Sequence, residues 1–152
     1  MNTDQFTILI DSREQTPWEF PADISTEKSS LPTGDYSIRG LSDFISIERK
    51  ELNDFLLCCG RERERFVREL QRMRGYSAKA VIVESDLKTI RRGKYRSRIS
   101  PEAVIGSVGA WTARYNVPII FAGDREGARD MAYSMLRGFY KSMRELVEEL
   151  NL

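Results

Sequence analysis

The 152-residue sequence predicts an α/β fold, with a central mixed β-sheet flanked by helices in a single domain over residues 1–152. Three observations predict it. Short apolar, β-branched runs recur at residues 6–10, 44–50, 80–84 and 117–121. Beyond residue 50 they alternate with stretches of helical period, in the order helix, strand, helix, strand, helix. No internal repeat or low-complexity linker divides the chain, whose length suits one core better than two.

Residues 6–10 (FTILI) read as a buried strand that delivers Asp11-Ser12-Arg13-Glu14 at its end. Pro17, Pro21 and Pro32 interrupt the next stretch, so residues 15–33 are expected to be an irregular excursion, with Trp18 and Phe20 a lid or a satellite of the core. Residues 35–38 and 44–50 read as a hairpin joined by the turn-rich stretch 39–43. Alternation in its second strand puts Ile45 and Ile47 on one face and Ser46, Glu48 and Lys50 on the other.

Leu52, Phe55 and Leu56 then share a helical stripe, which Phe66, Val67, Leu70 and Met73 resume after Gly60 until Gly75 stops it. The arginines and glutamates of residues 61–74 predict an exposed face laced with intrahelical ion pairs. Residues 80–84 (AVIVE) form a strand. Ser100-Pro101-Glu102 opens a helix with the stripe Val104, Val108, Trp111 and Tyr115. After a strand at 117–121, Asp124 caps a last helix whose stripe is expected at Ala128, Met131, Met135, Phe139, Met143, Leu146 and Leu150.

Composition narrows the chemistry. Histidine is absent, which removes the commonest general base, the commonest zinc ligand and every imidazole-based hydrolase mechanism. Hydrolysis would have to rest on carboxylates and lysine. The net charge of +1 does not exclude nucleic acid, because binding depends on where cations cluster. Cys58 and Cys59 are neighbours unsuited to bridging each other. With no signal-peptide core and no apolar run near the roughly 18 residues of a membrane span, an intracellular location is expected, cytoplasmic or nucleoid-associated, or nuclear in a eukaryote.

The chemistry-bearing residues are an acid on one hairpin strand, Asp35, and Glu48-Arg49-Lys50 on the next. Glu48 and Lys50 project from one face, and pairing across the turn brings Asp35 within about one residue of Glu48. Asp11 and Glu14 arrive from another strand's end, and Asp54 lies one helical turn beyond Lys50. So many carboxylates need a cation to offset their repulsion, and hard oxygen ligands select magnesium or manganese over zinc. Beside such an ion Lys50 has two roles open to it. It can orient or help deprotonate a water, or it can stabilise charge on phosphorus.

These residues also carry a resemblance. Gly34-Asp35 followed by Glu48-Arg49-Lys50-Glu51-Leu52-Asn53-Asp54 resembles the GD…ERKxxxD signature of the XPF-type (ERCC4-domain) structure-specific endonucleases, and Asp11-Ser12-Arg13-Glu14 is similar to their first-strand motif. Arg65 before Phe66 and Glu84 at a strand end are similar to lesser features. The likeness covers roughly residues 6–145. It implies a restriction-endonuclease-like fold that cuts branched, flapped or forked DNA with two or fewer magnesium ions, leaving a 5′-phosphate, in the setting of DNA repair and recombination. It further implies that Asp11, Glu14, Asp35, Glu48 and Asp54 form the metal site, that Lys50 is the catalytic lysine, and that Arg49 anchors a carboxylate or the scissile phosphate. The family's tandem helix-hairpin-helix module is missing from this sequence, so grip on DNA is expected from the nuclease domain, a separate DNA-binding partner or a paired copy.

Lys88, Arg91, Arg92, Lys94, Arg96 and Arg98 form a run without an acid among them, expected to contact phosphates while Tyr95 stacks on an unpaired base; a solvated charge run is the plain alternative. The Met-rich last helix, with Trp111 and Tyr115, suggests a self-pairing face as readily as ordinary core. The functional alternative to an active endonuclease is a catalytically silent DNA-binding subunit that positions DNA for a partner.

Overall fold

The computed structural model describes residues 5–152. Its strands are β1 (Thr7–Asp11), β2 (Ser25–Ser29), β3 (Tyr36–Ile38), β4 (Ile45–Lys50), β5 (Ala78–Val83) and β6 (Ile119–Phe121). Its helices are α1 (Leu52–Cys59), α2 (Arg63–Met73), α3 (Leu87–Arg91), α4 (Pro101–Tyr115) and α5 (Arg125–Glu149). One mixed sheet runs in the order β2-β1-β3-β4-β5-β6. The β1-β3-β4 portion is antiparallel, whereas β4, β5 and β6, and likewise β1 and β2, pair parallel. Parallel pairing of β4 with β5 aligns Lys50 with Val83 and so brings Glu84 to the same sheet end as Lys50.

Strand alternation feeds two cores, one on each face. Val81 and Val83 pack under α1, α2 and α4 with Phe55, Phe66, Leu70 and Trp111. Ala80 and Ile82, with Ile45, Ile47 and Tyr36, pack under α5 against Ala128, Ala132 and Leu136. Burial of each larger side chain contributes roughly 1.5–3 kcal/mol. Ser46, Glu48 and Lys50 are left to the α1–α2 face, as alternation predicts.

Helix caps form where the sequence puts them. Ser100 accepts from the Ala103 N–H ahead of Pro101, and Asp124 from the Gly127 N–H. Gly60 ends α1, and Gly75 lies two residues beyond α2.

Three readings are corrected, and for Trp18 the core alternative holds over the lid. Residues 15–33 are not wholly irregular, because Ser25–Ser29 adds a parallel edge strand to β1; its residues (STEKS) carry no apolar alternation and are largely exposed, so only the open edge of β1 makes them a strand. Trp18 is no lid but core, 2% exposed and stacked on Tyr36 at 4.5 Å. The buried stripe of α5 is Ala128, Ala132 and Leu136, with Met131 at 40% exposure, because two alanines let the helix approach the sheet closely. Among the described residues no ion pair joins an arginine to a glutamate within α2; Arg63 instead reaches Ser107 at 2.7 Å and lies over the Trp111 ring.

Candidate active site

The site starts at Gly34. Its φ of 81° suits glycine, and a Cβ there would collide with Ser46 Oγ and crowd the Ile47 carbonyl. This close approach lays Asp35 against β4. The Asp35 N–H donates to the Ile47 carbonyl (2.8 Å), while its own carbonyl accepts from the Asp11 N–H (2.8 Å). Asp35 Oδ2 then accepts the Arg49 N–H at 2.8 Å. The backbone thereby sets the Asp35 carboxyl beside that of Glu48.

Lys50 Nζ lies 2.9 Å from Glu48 Oε2 and 5.6 Å from the centre of the Phe66 ring. Burial, then the charge of Glu48, pushes the Asp35 carboxyl up to about 9. Burial likewise pushes Glu48 up to about 7, against the pull of Lys50 and with Glu69 adding to the rise. Burial acts to lower the Lys50 ammonium, but Glu48 and Glu69 overcome it and hold it above the ordinary lysine value. At neutral pH the two carboxyls therefore retain a proton while Lys50 keeps its charge. A single ammonium does not satisfy two carboxylates and a neighbouring third.

Arg49 points to the other side and joins two acids. Its Nε and Nη2 bond both Glu14 oxygens at 3.0 Å, Nη2 also reaches Thr16 Oγ1 at 2.7 Å, and Nη1 bonds Glu84 Oε1 at 2.8 Å. Glu84 Oε2 accepts from Trp18 Nε1 (2.8 Å) and Arg125 Nη1 (3.4 Å). Arg125 Nη2 donates onward to the Thr16 and Pro17 carbonyls. This network pins the 14–18 segment to β4 and to the start of α5. Asp11 is also occupied, taking the Leu31 N–H at 2.9 Å and Arg13 Nε at 2.9 Å. Burial pushes its carboxyl up, but these partners outweigh it and hold it below the usual range.

A cleft of about 630 Å³ gathers Asp11, Glu14, Asp35, Glu48, Lys50 and Asp54, the last exposed at its lip. From α2 it also receives Arg65, Glu69 and Arg72. Sequence reasoning placed Glu69 and Arg72 in surface ion pairs and did not single out Arg125. Glu69 stands four residues after Arg65, a helical spacing that could have put both on the cleft wall. Lys88, Arg91, Arg92, Lys94, Arg96 and Arg98 are exposed on α3 and the following loop, and line neither this cleft nor the groove beside it. Tyr95 is engaged elsewhere. Its ring packs on the α4-side core and its hydroxyl donates to the Ile99 carbonyl at 2.8 Å, which ties down that loop.

Among the described residues no three acidic or thiol side chains converge as a ready-made metal cage. Asp35 and Glu48 nevertheless fit a magnesium-like ion. Both offer hard oxygens, Glu48 buried and Asp35 half-buried, in a place where Lys50 offsets only part of their repulsion, and such an ion ordinarily takes one or two carboxylates and fills its other positions with water and substrate phosphate. No described helix is long and apolar enough to cross a membrane.

The sequence model of the ERCC4 domain matches residues 10–135. Among solved structures, XPF from Aeropyrum pernix is similar with a TM-score of 0.69 and 22% identity, over 93% of this chain and 69% of that one. XPF from Aeropyrum pernix in complex with DNA is similar with a TM-score of 0.71 and 24% identity, over 91% of this chain and 66% of that one. The chain thus spans about two thirds of the length of these structures. No curated protein matches. The likeness shows the fold, a restriction-endonuclease-like mixed sheet flanked by helices, as the sequence predicted. With the domain model covering most of its length, the chain belongs to the ERCC4-domain family of nuclease domains.

Proposed function

We propose that the chain is a metal-dependent DNA endonuclease that hydrolyses phosphodiester bonds in branched, flapped or forked DNA. The observation that carries the proposal is the facing pair of half-buried Asp35 and buried Glu48 beside a charged Lys50 in an open cleft. Asp35 and Glu48 would hold magnesium or manganese, with Asp54 at the lip and Asp11 and Glu14 reached only by displacing their arginines. The ion, when bound, supplies Lewis-acid polarisation of the phosphate and a more acidic water.

The chain's own residues do the rest. Arg49, through its N–H on Asp35 and its side chain on Glu14, fixes where the carboxylates stand. Lys50 keeps its proton, so of its two roles the reading favours stabilising charge at the phosphorus over abstracting a proton. Phe66 shields the ammonium from one side. The exposed cations at 88–98 would extend the contact with DNA backbone beyond the cleft. A second copy seated on the exposed apolar end of α5, or a separate DNA-binding chain, completes the partners we propose.

A catalytically silent DNA-binding subunit is the second reading. One observation favours it: Asp11 and Glu14 are already neutralised by Arg13 and Arg49. Incubating a labelled flap or fork with magnesium or with chelator, for wild type, Asp35→Ala and Lys50→Ala, separates the two. Cleavage is expected only with metal, and is expected to drop by about 10²-fold or more in each variant. Equal cutting by wild type and both variants would reject the site, and binding without cutting by wild type would establish the silent reading.

A further inference from the structure

The arginines of α2 lack the partners that their spacing offers. Glu62 stands three residues before Arg65 and Glu69 four after it, and Glu69 stands three before Arg72, all distances at which helical ion pairs form. None forms. Glu69 lines the cleft beside Glu48 and Lys50, and among the described residues Arg65 and Arg72 stand exposed on the cleft wall without ion pairs. Arg68 of the same helix is equally exposed but does not line the cleft.

The opposite side of Arg49 has the contrary character. A groove of about 840 Å³ there carries Glu19, Glu51, Asp54 and Asp124, and its two arginines, Arg49 and Arg125, are both engaged by Glu84. Glu51 and Asp124 are held in place as the caps of α1 and α5. The α2 wall of the cleft carries Glu62 and Glu69 as well, but of the two sides it is the one whose arginines no acid engages, so a polyanion leaving the site finds available cations there.

We infer that Arg72 acts with Arg65 as a phosphate-contacting pair on α2 that holds the DNA backbone on one side of the cleavage site. Seven residues of helix separate the two by roughly 10.5 Å at 1.5 Å per residue. That is about three nucleotide rises of 3.4 Å along a duplex. Each guanidinium can therefore reach a separate phosphate, with the reacting one held over Asp35 and Lys50. The inference rests on the DNA-binding part of the proposed function and not on hydrolysis.

The test is the salt dependence of binding to a labelled forked duplex, measured by fluorescence anisotropy in chelator. Losing one phosphate contact lowers the slope of log K against log salt by about 0.9 in magnitude. Arg65→Ala and Arg72→Ala are each expected to show that drop, Arg72→Lys to keep the wild-type slope, and Arg68→Ala to leave it unchanged. Circular dichroism of each variant checks that α2 is intact. A wild-type slope in Arg72→Ala, or an equal drop in Arg68→Ala, overturns the inference. Failed cleavage with the expected slopes counts against hydrolysis alone, and cleavage with unchanged slopes counts against this pair alone. Absence of wild-type binding in chelator overturns the inference, and absence of both binding and cleavage in magnesium overturns the proposed function as well.

Discussion

Gly34 carries the site's tightest steric demand. Gly34→Ala must place a Cβ against Ser46 and the Ile47 carbonyl on backbone that already disfavours an L side chain. A loss of about 1–3 kcal/mol in denaturant unfolding is expected, with Asp35 displaced from β4. Asp35 itself sets a pH dependence. Its folded value, about 9, lies above the ordinary 3.8, so the metal-free native state binds more protons than the unfolded chain between those values. Stability must then fall as pH rises through that window, and Glu48 adds to the fall up to about 7. Thermal melts without metal are expected to show a Tm several degrees lower at pH 8.5 than at pH 5.5, with most of that slope removed in Asp35→Asn. A flat wild-type profile would mean that neither burial nor the charge of Glu48 raises the Asp35 carboxyl in the native state.

At the scale of elements, Glu84 joins β5, the 14–18 segment, β4 and α5 through one carboxylate. Glu84→Ala leaves one Arg49 nitrogen and the Trp18 indole N–H without their partner in a largely buried place. Breaking such a pair costs about 3 kcal/mol, which urea titration would read directly. Because Arg49 would also loosen its hold on Glu14, cleavage is expected to weaken although Glu84 lies outside the pair proposed to hold the metal. The α2 helix shows why part of the site is not legible in the sequence. Alternating arginine and glutamate is the pattern of a solvated, self-paired surface. Which way Glu69 turns depends on Glu48 and Lys50, which are distant in sequence and reach it only through packing of α2 on the sheet. The same holds for Ser25–Ser29, where pairing with β1 decides the strand and local composition does not.

For the whole molecule, one sheet end collects the chemistry because β4 and β5 run parallel and the hairpin turns back on β4. Beyond residue 140, α5 buries no side chain and leaves Leu146 and Leu150 at 46% and 58% exposure. If a second copy covers them, sedimentation velocity of wild type is expected to show a concentration-dependent dimer, and Leu146→Glu a monomer. A wild-type monomer at every concentration would sink self-pairing through this helix.

The sequence by itself determined the order of the elements apart from β2 and α3, the alternation that sends Ile45 and Ile47 to one core and Glu48 and Lys50 to the opposite face, and the nearness of Asp35 to Glu48, because each depends on neighbours within a few residues or on a short hairpin. Tertiary structure alone decided which acids an arginine side chain neutralises. Asp11 and Glu14 were expected in one metal site with Asp35 and Glu48, yet Leu31, Arg13 and Arg49 occupy them, while Asp35 and Glu48 are left facing each other. Charge in a folded site is set by distance and burial among residues remote along the chain, and no local pattern encodes either.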